Sequence, residues 1–295
     1  MPLPPLDLRQ LDWLIEAALR EDIGPGDLTS RAVIPPEATA LGTFVARQAG
    51  VLAGGPILGP LFRRVDPAVR VELLKGDGEA LARGDAIGRV RGPAIAVLSG
   101  ERVSLNFLQR LSGIATMTRR FVEKAAPHGA QILDTRKTTP GWRVLEKYAV
   151  LAGGGRNHRM GLHDQVLIKD NHLVVAEQRW PGRAIAGAIA AARATAPPGT
   201  RVEVEADTLD QVRQALAAGA DAILLDNMTD DQMREAVALA RARRPRPVLE
   251  ASGGVTEGRV EAIARTGVDW ISVGALTHSA SALDIALDFE PVAGG

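Results

Sequence analysis

The stretch from Ile132 to His172 reads ILDTRKTTPGWRVLEKYAVLAGGGRNHRMGLHDQVLIKDNH. A short apolar run is followed at once by the polar series Asp134 to Lys137. A helix is predicted from Trp142 to Ala152. A second apolar run, residues 165–168, follows it and ends at Lys169. Cations therefore stand where apolar runs stop. Because the ends of neighbouring strands lie side by side in a parallel α/β sheet, this pattern predicts a shared anion-binding mouth.

Five cationic side chains of this stretch are candidates for binding an anionic ligand. They are Arg136, Lys137, His158, Arg159 and Lys169. Arginine is abundant in this chain and most charged runs are solvated, so no single arginine decides the question. Lysine is scarcer, and two of the five lysines of the chain, Lys137 and Lys169, stand at predicted strand ends. A cation that follows a buried strand needs a partner or a ligand, which favours a functional role for Lys169.

From residue 131 onward, apolar strands alternate with helices. The predicted strands are residues 131–134, 165–169, 201–206, 221–226, 247–251 and 269–274. The segments between them repeat Ala, Leu and Val at three- and four-residue spacing, which is typical of helices. Six such units predict a parallel sheet in the form of an incomplete TIM-like α/β barrel, with a doubly wound open sheet as the alternative.

The earlier part of the chain has a different pattern. A helical stripe covers Leu8 to Glu21, and short alternating runs with glycine turns extend from Thr43 to about Val97, interrupted by a predicted helix over residues 56–65. This pattern predicts a smaller, strand-rich α+β N-terminal domain over residues 1–112. An α/β-barrel catalytic domain is predicted over residues 113–290.

A predicted helix from Ser99 to Glu123 joins the two domains, with Ser99 as its N-cap and Ser112-Gly113 as its weakest point. Arg102 would then lie in the first turn. A cation near a helix N-terminus is unfavourable by a few tenths of a kcal/mol. Arg102 is therefore a candidate for a functional role.

Two carboxylates at strand ends are candidates for holding a cation or a sugar. Glu205 and Asp226 end successive strands, where they would hold Mg²⁺ through water or substrate, accept hydrogen bonds from sugar hydroxyl groups, or pair with the cations. Glu203 shares its face of the strand with Glu205, so either carboxylate can be the inner one. The residue nearer the carboxyl end of the strand, Glu205, is the preferred candidate.

The last two strands end in small residues. Ser252, Gly253 and Gly254 follow one strand, and Gly274 and Ala275 follow the other. Exposed backbone N–H groups at a helix N-terminus bind phosphate, and barrels often place a phosphate beyond their last two strands. A phosphate site, a carboxylate pair and a cation patch together suit phosphoribosyl transfer better than hydride or acyl transfer.

Composition excludes several classes of protein. The chain has 295 residues and a formal net charge of zero, which argues against a nonspecific nucleic-acid binder. It has no cysteine, hence no disulfide framework and no thiolate nucleophile. No apolar run reaches the roughly 20 residues needed to cross a bilayer, and the N-terminus lacks a signal-peptide pattern. We expect a soluble, cytoplasmic protein without a membrane or nucleic-acid partner.

Nine segments, in this order, resemble one known family. They are REDIGPGDLTS, ERVSLNFLQRLSGIAT, LDTRKTTPGWR, GGGRNHRMGLHD, IKDNH, VEVEADTLDQ, ILLDN, EASGGV and ISVGALTHS. The chain resembles the nicotinate-nucleotide pyrophosphorylase family, also called the quinolinate phosphoribosyltransferase family, over nearly its whole length. The resemblance implies phosphoribosyl transfer from phosphoribosyl pyrophosphate to quinolinate with decarboxylation. The products would be nicotinate mononucleotide, pyrophosphate and CO₂, with Mg²⁺ as cofactor, in de novo NAD synthesis.

The resemblance also implies roles for individual residues. The substrate-binding residues would be Arg102, Thr135, Arg136, Lys137, His158, Arg159, Lys169, Glu205, Asp226, Ser252, Gly253, Gly254, Gly274 and Ala275. The catalytic residues among them would be Lys137, Lys169, Glu205 and Asp226, of which the two carboxylates would also serve the metal. The resemblance further implies a homodimer or a higher oligomer. In the homodimer, Arg102 would reach into the site of the partner subunit.

Three other readings of the sequence stay open. Lys169 could form a Schiff base, as lysines do in barrel aldolases, if neighbouring cations depress its pKa. The chain could be a non-catalytic sensor of pyridine carboxylates or phosphoribosyl ligands, although an intact set of candidate residues argues against this. A related enzyme with a different acceptor is also compatible with the sequence.

Overall fold

The computed structural model describes residues 3–291. The strands are β1 (Thr39–Ala46), β2 (Gly50–Val51), β3 (Arg70–Leu73), β4 (Ala80–Leu81), β5 (Ala86–Pro93), β6 (Gln131–Leu133), β7 (Val166–Ile168), β8 (Val202–Ala206), β9 (Ala222–Asp226), β10 (Val248–Ser252), β11 (Trp270–Ser272) and β12 (Ile285–Pro291). The α-helices are α1 (Asp12–Ile23), α2 (Leu28–Val33), α3 (Gly55–Val65), α4 (Ala94–Ala125), α5 (Arg143–Ala152), α6 (Asp170–Ala176), α7 (Ala184–Thr195), α8 (Leu209–Ala218), α9 (Asp230–Arg241), α10 (Val260–Ala264) and α11 (Ala275–His278). Short 3₁₀ turns lie at Leu8–Leu11 and Ala126–His128.

The chain forms two compact units, each assembled from separate stretches of sequence. The antiparallel unit contains residues 3–119, 139–154 and 279–291. The barrel unit contains residues 120–138 and 155–278. The predicted division of the sequence into two contiguous domains stays a prediction.

The barrel unit is built on six parallel strands in the order β6-β11-β10-β9-β8-β7. Consecutive strands from β7 to β11 are neighbours, and the first strand, β6, pairs with the last, β11. Pairing of the first strand with the last is the arrangement of a barrel, whereas a doubly wound sheet reverses its strand order at an internal switch point. The described strands β6 and β7 do not pair with each other. The predicted incomplete α/β barrel is thus confirmed.

Strand β8 shows how the sequence places polar groups inside the barrel. Its sequence VEVEA alternates valine or alanine with glutamate, and all five residues are buried. Successive side chains of a strand point to opposite faces, so Val202, Val204 and Ala206 share one face and the two glutamates share the other. The apolar face packs against helices α7 and α8. Glu203 and Glu205 therefore point into the barrel together.

The antiparallel unit contains a four-stranded sheet in the order β12-β1-β5-β3. All of its neighbouring strands run antiparallel, and the last strand of the chain, β12, pairs with the first, β1, from Ala40 opposite Pro291 to Ala46 opposite Ile285. Along β1 the side chains alternate between buried and partly exposed positions. Phe44 of β1 packs against Phe62 of α3, and both rings are fully buried. The predicted strand-rich α+β character of this part is confirmed.

The prediction for the long helix was wrong at its start. Helix α4 begins at Ala94 and not at Ser99, so Ser99 is no N-cap and its hydroxyl donates to the carboxylate of Asp27. Arg102 consequently lies beyond the first turn, and the argument from an unfavourable position near the helix N-terminus does not apply. The reason for the error is that residues 94–98, AIAVL, are apolar on all sides and continue the strand pattern of β5.

Helix α4 also continues without a break through Ser112-Gly113, the predicted weak point. The hydroxyl of Ser112 accepts the N–H of Ala53 at 3.1 Å, and a Cβ added at Gly113 would overlap the carbonyl oxygen of Ser281. A small pair of residues here permits close packing against two other segments. Among the helices within residues 3–291, none is long and apolar enough for a membrane crossing.

Candidate active site

A cavity of about 490 Å³ lies at the carboxyl ends of the barrel strands. Its lining residues are Thr135, Arg136, Lys137, His158, Arg159, Leu167, Lys169, Glu205, Leu224, Asp226, Asn227, Glu250, Ser252, Gly253, Gly254 and Ser272. All of them belong to the barrel unit. The structure therefore brings together the five predicted cations, the two predicted carboxylates and the first of the two predicted phosphate loops.

Three of the predicted residues are not among those that line this cavity. Arg102 is an exposed residue of α4 in the antiparallel unit. Gly274 packs behind the lining, where an added Cβ would lie 2.9 Å from the Cδ atom of Lys137, and Ala275 begins the four-residue helix α11. Gly274 therefore leaves room for the side chain of Lys137.

The loop after β6 holds the first cations in place. The backbone N–H of Lys137 donates to the hydroxyl of Thr135 at 3.0 Å, and the hydroxyl of Thr277 donates to the carbonyl of Lys137 at 2.7 Å. Both bonds fix backbone and leave the lysine side chain available to the cavity. Thr135 thus contributes to the shape of the loop as well as to its lining.

The loop after β10 is built from glycine because its backbone requires it. Gly253 and Gly254 have φ angles of +90° and +57°, which other residues rarely adopt. A Cβ at Gly253 would also overlap the side chain of Asn227. We expected this loop to lead directly into a helix, but a turn separates it from the short helix α10. Any phosphate bound here would meet loop N–H groups and not a helix N-terminus.

Three carboxylates cluster on one side of the cavity. Glu205, Asp207 and Asp226 each offer an oxygen, and these oxygens all lie within 4.8 Å of one another. Burial and the charge of Glu205 raise the pKa values of both Asp207 and Asp226. Carboxylate oxygens are the ligands that Mg²⁺ prefers, and a local excess of negative charge favours a divalent cation. This donor set fits the Mg²⁺ that the sequence resemblance implies.

Lys169 contacts this carboxylate cluster. Its ammonium group pairs with Oε2 of Glu205, whose side chain is only 8% exposed, while the lysine side chain is 43% exposed. The backbone N–H of Lys169 donates to Nδ1 of His172 at 2.9 Å, which ties the end of β7 to the first turn of α6. The ammonium therefore lies at the border between the carboxylates and the open cavity.

Arg159 is the most buried arginine of the cation patch. The side chain donates to the carbonyl of Gln165 at 3.3 Å, and the whole residue is 8% exposed. Burial and the charge of Arg136 lower the pKa of Arg159, while the charge of Glu203 acts in the opposite direction. Two cations are thus held close together, an arrangement that an anionic ligand would stabilise.

His158 is held between two fully buried carboxylates. Its Nε2 atom lies 3.3 Å from Oε2 of Glu203 and 3.3 Å from Oε2 of Glu250. Oε2 of Glu203 also accepts from the side-chain amide of Gln165 at 2.6 Å. Within the described residues, Oε1 of Glu203 and both oxygens of Glu250 lack partners with hydrogen-bond geometry. His158 is therefore the cation that faces this pair of carboxylates.

The protonation state of His158 follows from two opposing influences. Burial lowers its pKa, but the neighbouring carboxylates of Glu203 and Glu250 outweigh burial and raise the pKa to about 9. The N–H of Arg159, 2.7 Å from Nδ1, favours an unprotonated Nδ1. One hydrogen bond contributes about 1 kcal/mol, whereas a pKa rise from 6.5 to about 9 corresponds to about 3 kcal/mol. We therefore expect a cationic ring at neutral pH.

A cationic imidazole has no lone pair for a metal. The group of His158, Glu203 and Glu250 is close enough in geometry for a metal site, but its ring is committed to the carboxylates. Glu205, Asp207 and Asp226 are the better candidates for a divalent cation. Of the two glutamates of β8, Glu205 lines the cavity and Glu203 lies behind it, as the sequence indicated.

Sequence reasoning missed several residues of the site. Glu250, Asn227 and Ser272 line the cavity, and Asp207 completes the carboxylate cluster. A signal for Glu250 was present, because it shares its face of β10 with Ser252 and is a charged residue within an apolar strand. Asn227 has a φ angle of +51° directly after β9, a conformation that only the structure reveals.

Two family models match the chain. The N-terminal domain of quinolinate phosphoribosyl transferase matches residues 27–112, and the C-terminal domain of the same family matches residues 114–288. The second match alone covers more than half of the chain and includes every residue that lines the cavity.

Individual relatives agree with the family models. The chain is 46% identical to the probable nicotinate-nucleotide pyrophosphorylase [carboxylating] of Bacillus subtilis (strain 168), covering 95% of this chain and 93% of the relative. It is 43% identical to the chloroplastic nicotinate-nucleotide pyrophosphorylase [carboxylating] of Oryza sativa subsp. japonica, covering 97% and 79%. The crystal structure of NadC from Streptococcus pyogenes superimposes with a TM-score of 0.91 at 38% identity, covering 98% and 100%. The chain therefore belongs to the quinolinate phosphoribosyl transferase family.

Proposed function

We propose that the protein transfers the phosphoribosyl group of phosphoribosyl pyrophosphate to quinolinate and releases CO₂. The products are nicotinate mononucleotide, pyrophosphate and CO₂, which places the enzyme in NAD biosynthesis. The observation that carries this proposal is that one cavity is lined both by the cations Arg136, Lys137 and Arg159 and by the carboxylates Glu205 and Asp226. A ligand with several anionic groups and one developing cationic centre matches that division of charge.

The cations are suited to binding the anionic groups of both substrates. Arg136 and Arg159 offer planar guanidinium groups, which bind carboxylates with two parallel hydrogen bonds. Lys137 lies beside Gly274 at the mouth of the last loop, where an ammonium group suits a phosphate or pyrophosphate. Gly253 and Gly254 offer backbone N–H groups to the 5′-phosphate.

The carboxylates are suited to the reacting carbon. When the bond from ribose C1 to pyrophosphate breaks, positive charge builds on C1 and the ring oxygen, and Glu205 and Asp226 stabilise that charge. The pyridine nitrogen of quinolinate then attacks C1. The positively charged ring stabilises the electron pair that the departing CO₂ leaves on the adjacent carbon, and a proton replaces the carboxyl group there.

Mg²⁺ is part of the proposal. Glu205, Asp207 and Asp226 would hold it directly or through water, and when bound it neutralises the pyrophosphate leaving group. The ion pair between Lys169 and Glu205 does not favour a Schiff-base role for this lysine, since a nucleophilic lysine is usually desolvated or placed beside other cations.

We also propose that the enzyme is a cytoplasmic homodimer. In this arrangement, which is the one that the resemblance implies, Arg102 of each subunit completes the site of the other. The exposure of Arg102 on α4 and its place outside the set of lining residues support a role at a surface between subunits.

The proposal is tested by product analysis. The purified protein is incubated with phosphoribosyl pyrophosphate and quinolinate, with and without Mg²⁺, and nicotinate mononucleotide and CO₂ are measured. Nicotinate replaces quinolinate as a control acceptor, because it lacks the carboxyl group that is lost. We expect product from quinolinate but not from nicotinate, and only when Mg²⁺ is present. Product from nicotinate, or none from either acid, would contradict the acceptor assignment.

A further inference from the structure

Lys169 contacts the carboxylate cluster, and its ammonium group can also pair with an anionic substrate. The ammonium group pairs with Glu205, which is nine-tenths buried. The same side chain lines the cavity that would take the anionic substrates. An ammonium group is a compact, strongly hydrated charge on a flexible stem of four carbons, so it can exchange one anionic partner for another nearby.

The cluster carries more negative charge than Lys169 neutralises. Three carboxylates offer oxygens that lie within 4.8 Å of one another, and the ammonium group of Lys169 pairs with one of the three, Glu205. A divalent cation would satisfy the cluster better than one ammonium group. A divalent cation on the cluster would use the carboxylate of Glu205, with which Lys169 already pairs, so the two cations would compete for it.

We propose that Lys169 is a partner-switching residue that couples metal binding to binding of the anionic acceptor. Without metal, its ammonium group neutralises Glu205. Metal on the carboxylates displaces the ammonium group, which then pairs with a carboxylate of the acceptor. This inference rests on the proposed function. By linkage, the metal must then tighten acceptor binding by the same factor as the acceptor tightens metal binding.

The first experiment measures metal binding without substrate. Free Mn²⁺, a spectroscopic substitute for Mg²⁺, is titrated by electron paramagnetic resonance in the wild type, Lys169→Met and Lys137→Met. Lys169→Met keeps an apolar stem but removes the competing charge, so we expect Mn²⁺ to bind it at least about threefold more tightly than the wild type. Lys137→Met removes a cation from the same cavity that does not contact the cluster, and we expect a change below about twofold.

The second experiment measures the coupling directly. Phthalate is used in place of quinolinate, because it carries two adjacent carboxylates but has no ring nitrogen that would chelate the metal. Its affinity is measured by calorimetry with and without Mn²⁺. In the wild type we expect Mn²⁺ to tighten phthalate binding by about fivefold or more, a typical coupling between two sites. In Lys169→Met this effect should be absent.

The outcomes separate this inference from the proposed function. Equal or weaker Mn²⁺ binding by Lys169→Met, or phthalate binding that is independent of Mn²⁺ in the wild type, would overturn the partner switch. Product formation from quinolinate by the wild type would still support the proposed function in that event. Conversely, if Mn²⁺ tightens phthalate binding to a protein that makes no nicotinate mononucleotide, the partner switch is supported and the proposed reaction is rejected.

Discussion

Arg136 and Arg159 lie close enough for the charge of one to lower the pKa of the other, and both line the cavity. An anionic ligand bound between them would offset this repulsion. Arg136→Ala should therefore remove a main contact to the acceptor and reduce kcat/KM about 10²- to 10³-fold, the usual effect of losing one preorganised donor. Steady-state assays measure the loss, and circular dichroism checks that the fold is kept.

Arg234→Ala is a matched control for this substitution. Arg234 is an exposed arginine on α9 that pairs with Asp231 and does not line the cavity. An exposed pair of this kind contributes at most about 1 kcal/mol to stability, so the variant should fold normally. Because Arg234 does not line the cavity, activity should be unchanged. Near-normal activity of Arg136→Ala would reject its proposed role.

Glu250 is one of two buried carboxylates that lie beside His158 and raise its pKa. Because the pKa of His158 is raised to about 9, the ion pair contributes stability that is fully present below the usual 6.5 and is lost as the pH rises through about 9. Glu250→Gln removes one of the two carboxylates. The pKa of His158 should fall, and the loss of stability between pH 6.5 and about 9 should become smaller.

Nitrogen NMR of the imidazole rings measures this pKa, and the chain has only five histidines to assign. Glu235→Gln serves as the control, since Glu235 is an exposed carboxylate that pairs with Arg213. An unchanged titration of His158 in Glu250→Gln would show that Glu250 does not set its charge.

Among secondary-structure elements, α4 shows what a glycine does in a helix interior. Gly113→Ala would place a methyl group onto the carbonyl of Ser281, which is backbone and cannot rotate away. We expect a loss of about 1–3 kcal/mol in the free energy of unfolding. Gly59→Ala in α3 makes the same change where the nearest atom, 3.2 Å away, is the end of the flexible Arg63 side chain. There helix propensity favours alanine by about 0.5–1 kcal/mol, but the ring of Pro60 disfavours a Cβ on the helical residue before it, so we expect a smaller net change than in Gly113→Ala.

Urea denaturation, followed by circular dichroism, compares the two variants with the wild type. A clearly larger fall of the midpoint in Gly113→Ala than in Gly59→Ala would support the role of Gly113 in close packing. Equal shifts would mean that the packing around Gly113 can adjust and that only helix propensity matters.

The same elements show what the sequence could and could not predict. The strands of the barrel were predictable because each is a short apolar run between helices with regular spacing. The start of α4 was not, since residues 94–98 are buried or nearly buried on all sides and so lack the periodicity that marks an amphipathic helix. Lys137 and Lys169 were found because they follow strands, whereas Glu250 was missed because it lies within one.

At the scale of the whole molecule, the proposed homodimer makes a quantitative prediction. If Arg102 completes the site of the partner subunit, Arg102→Ala and Arg136→Ala damage different contributions to one site. A dimer with one chain of each variant then contains one intact site and one site with both defects. Random mixing of the two inactive variants should restore about a quarter of the wild-type activity, because half of the dimers are mixed and each has one intact site.

The mixture is prepared by coexpression or by joint refolding, and activity is compared with that of each variant alone. Mixing Arg136→Ala with Lys169→Met is the control, since both residues belong to the same cavity of one chain and no mixed dimer gains an intact site. Failure of the first mixture to recover activity, with mixed dimers present, would reject the contribution of Arg102 across the interface.

The pairing of β12 with β1 has a consequence for synthesis of the protein on the ribosome. One edge of β1 receives its partner only from residues 285–291, which are translated long after β1 itself. Until then β1 exposes a row of unpaired backbone groups along seven residues, the kind of edge at which other chains add. The barrel strands, by contrast, are all made before residue 273. A nascent chain translated only as far as residue 284 would thus have a complete barrel sheet and an open, association-prone edge elsewhere.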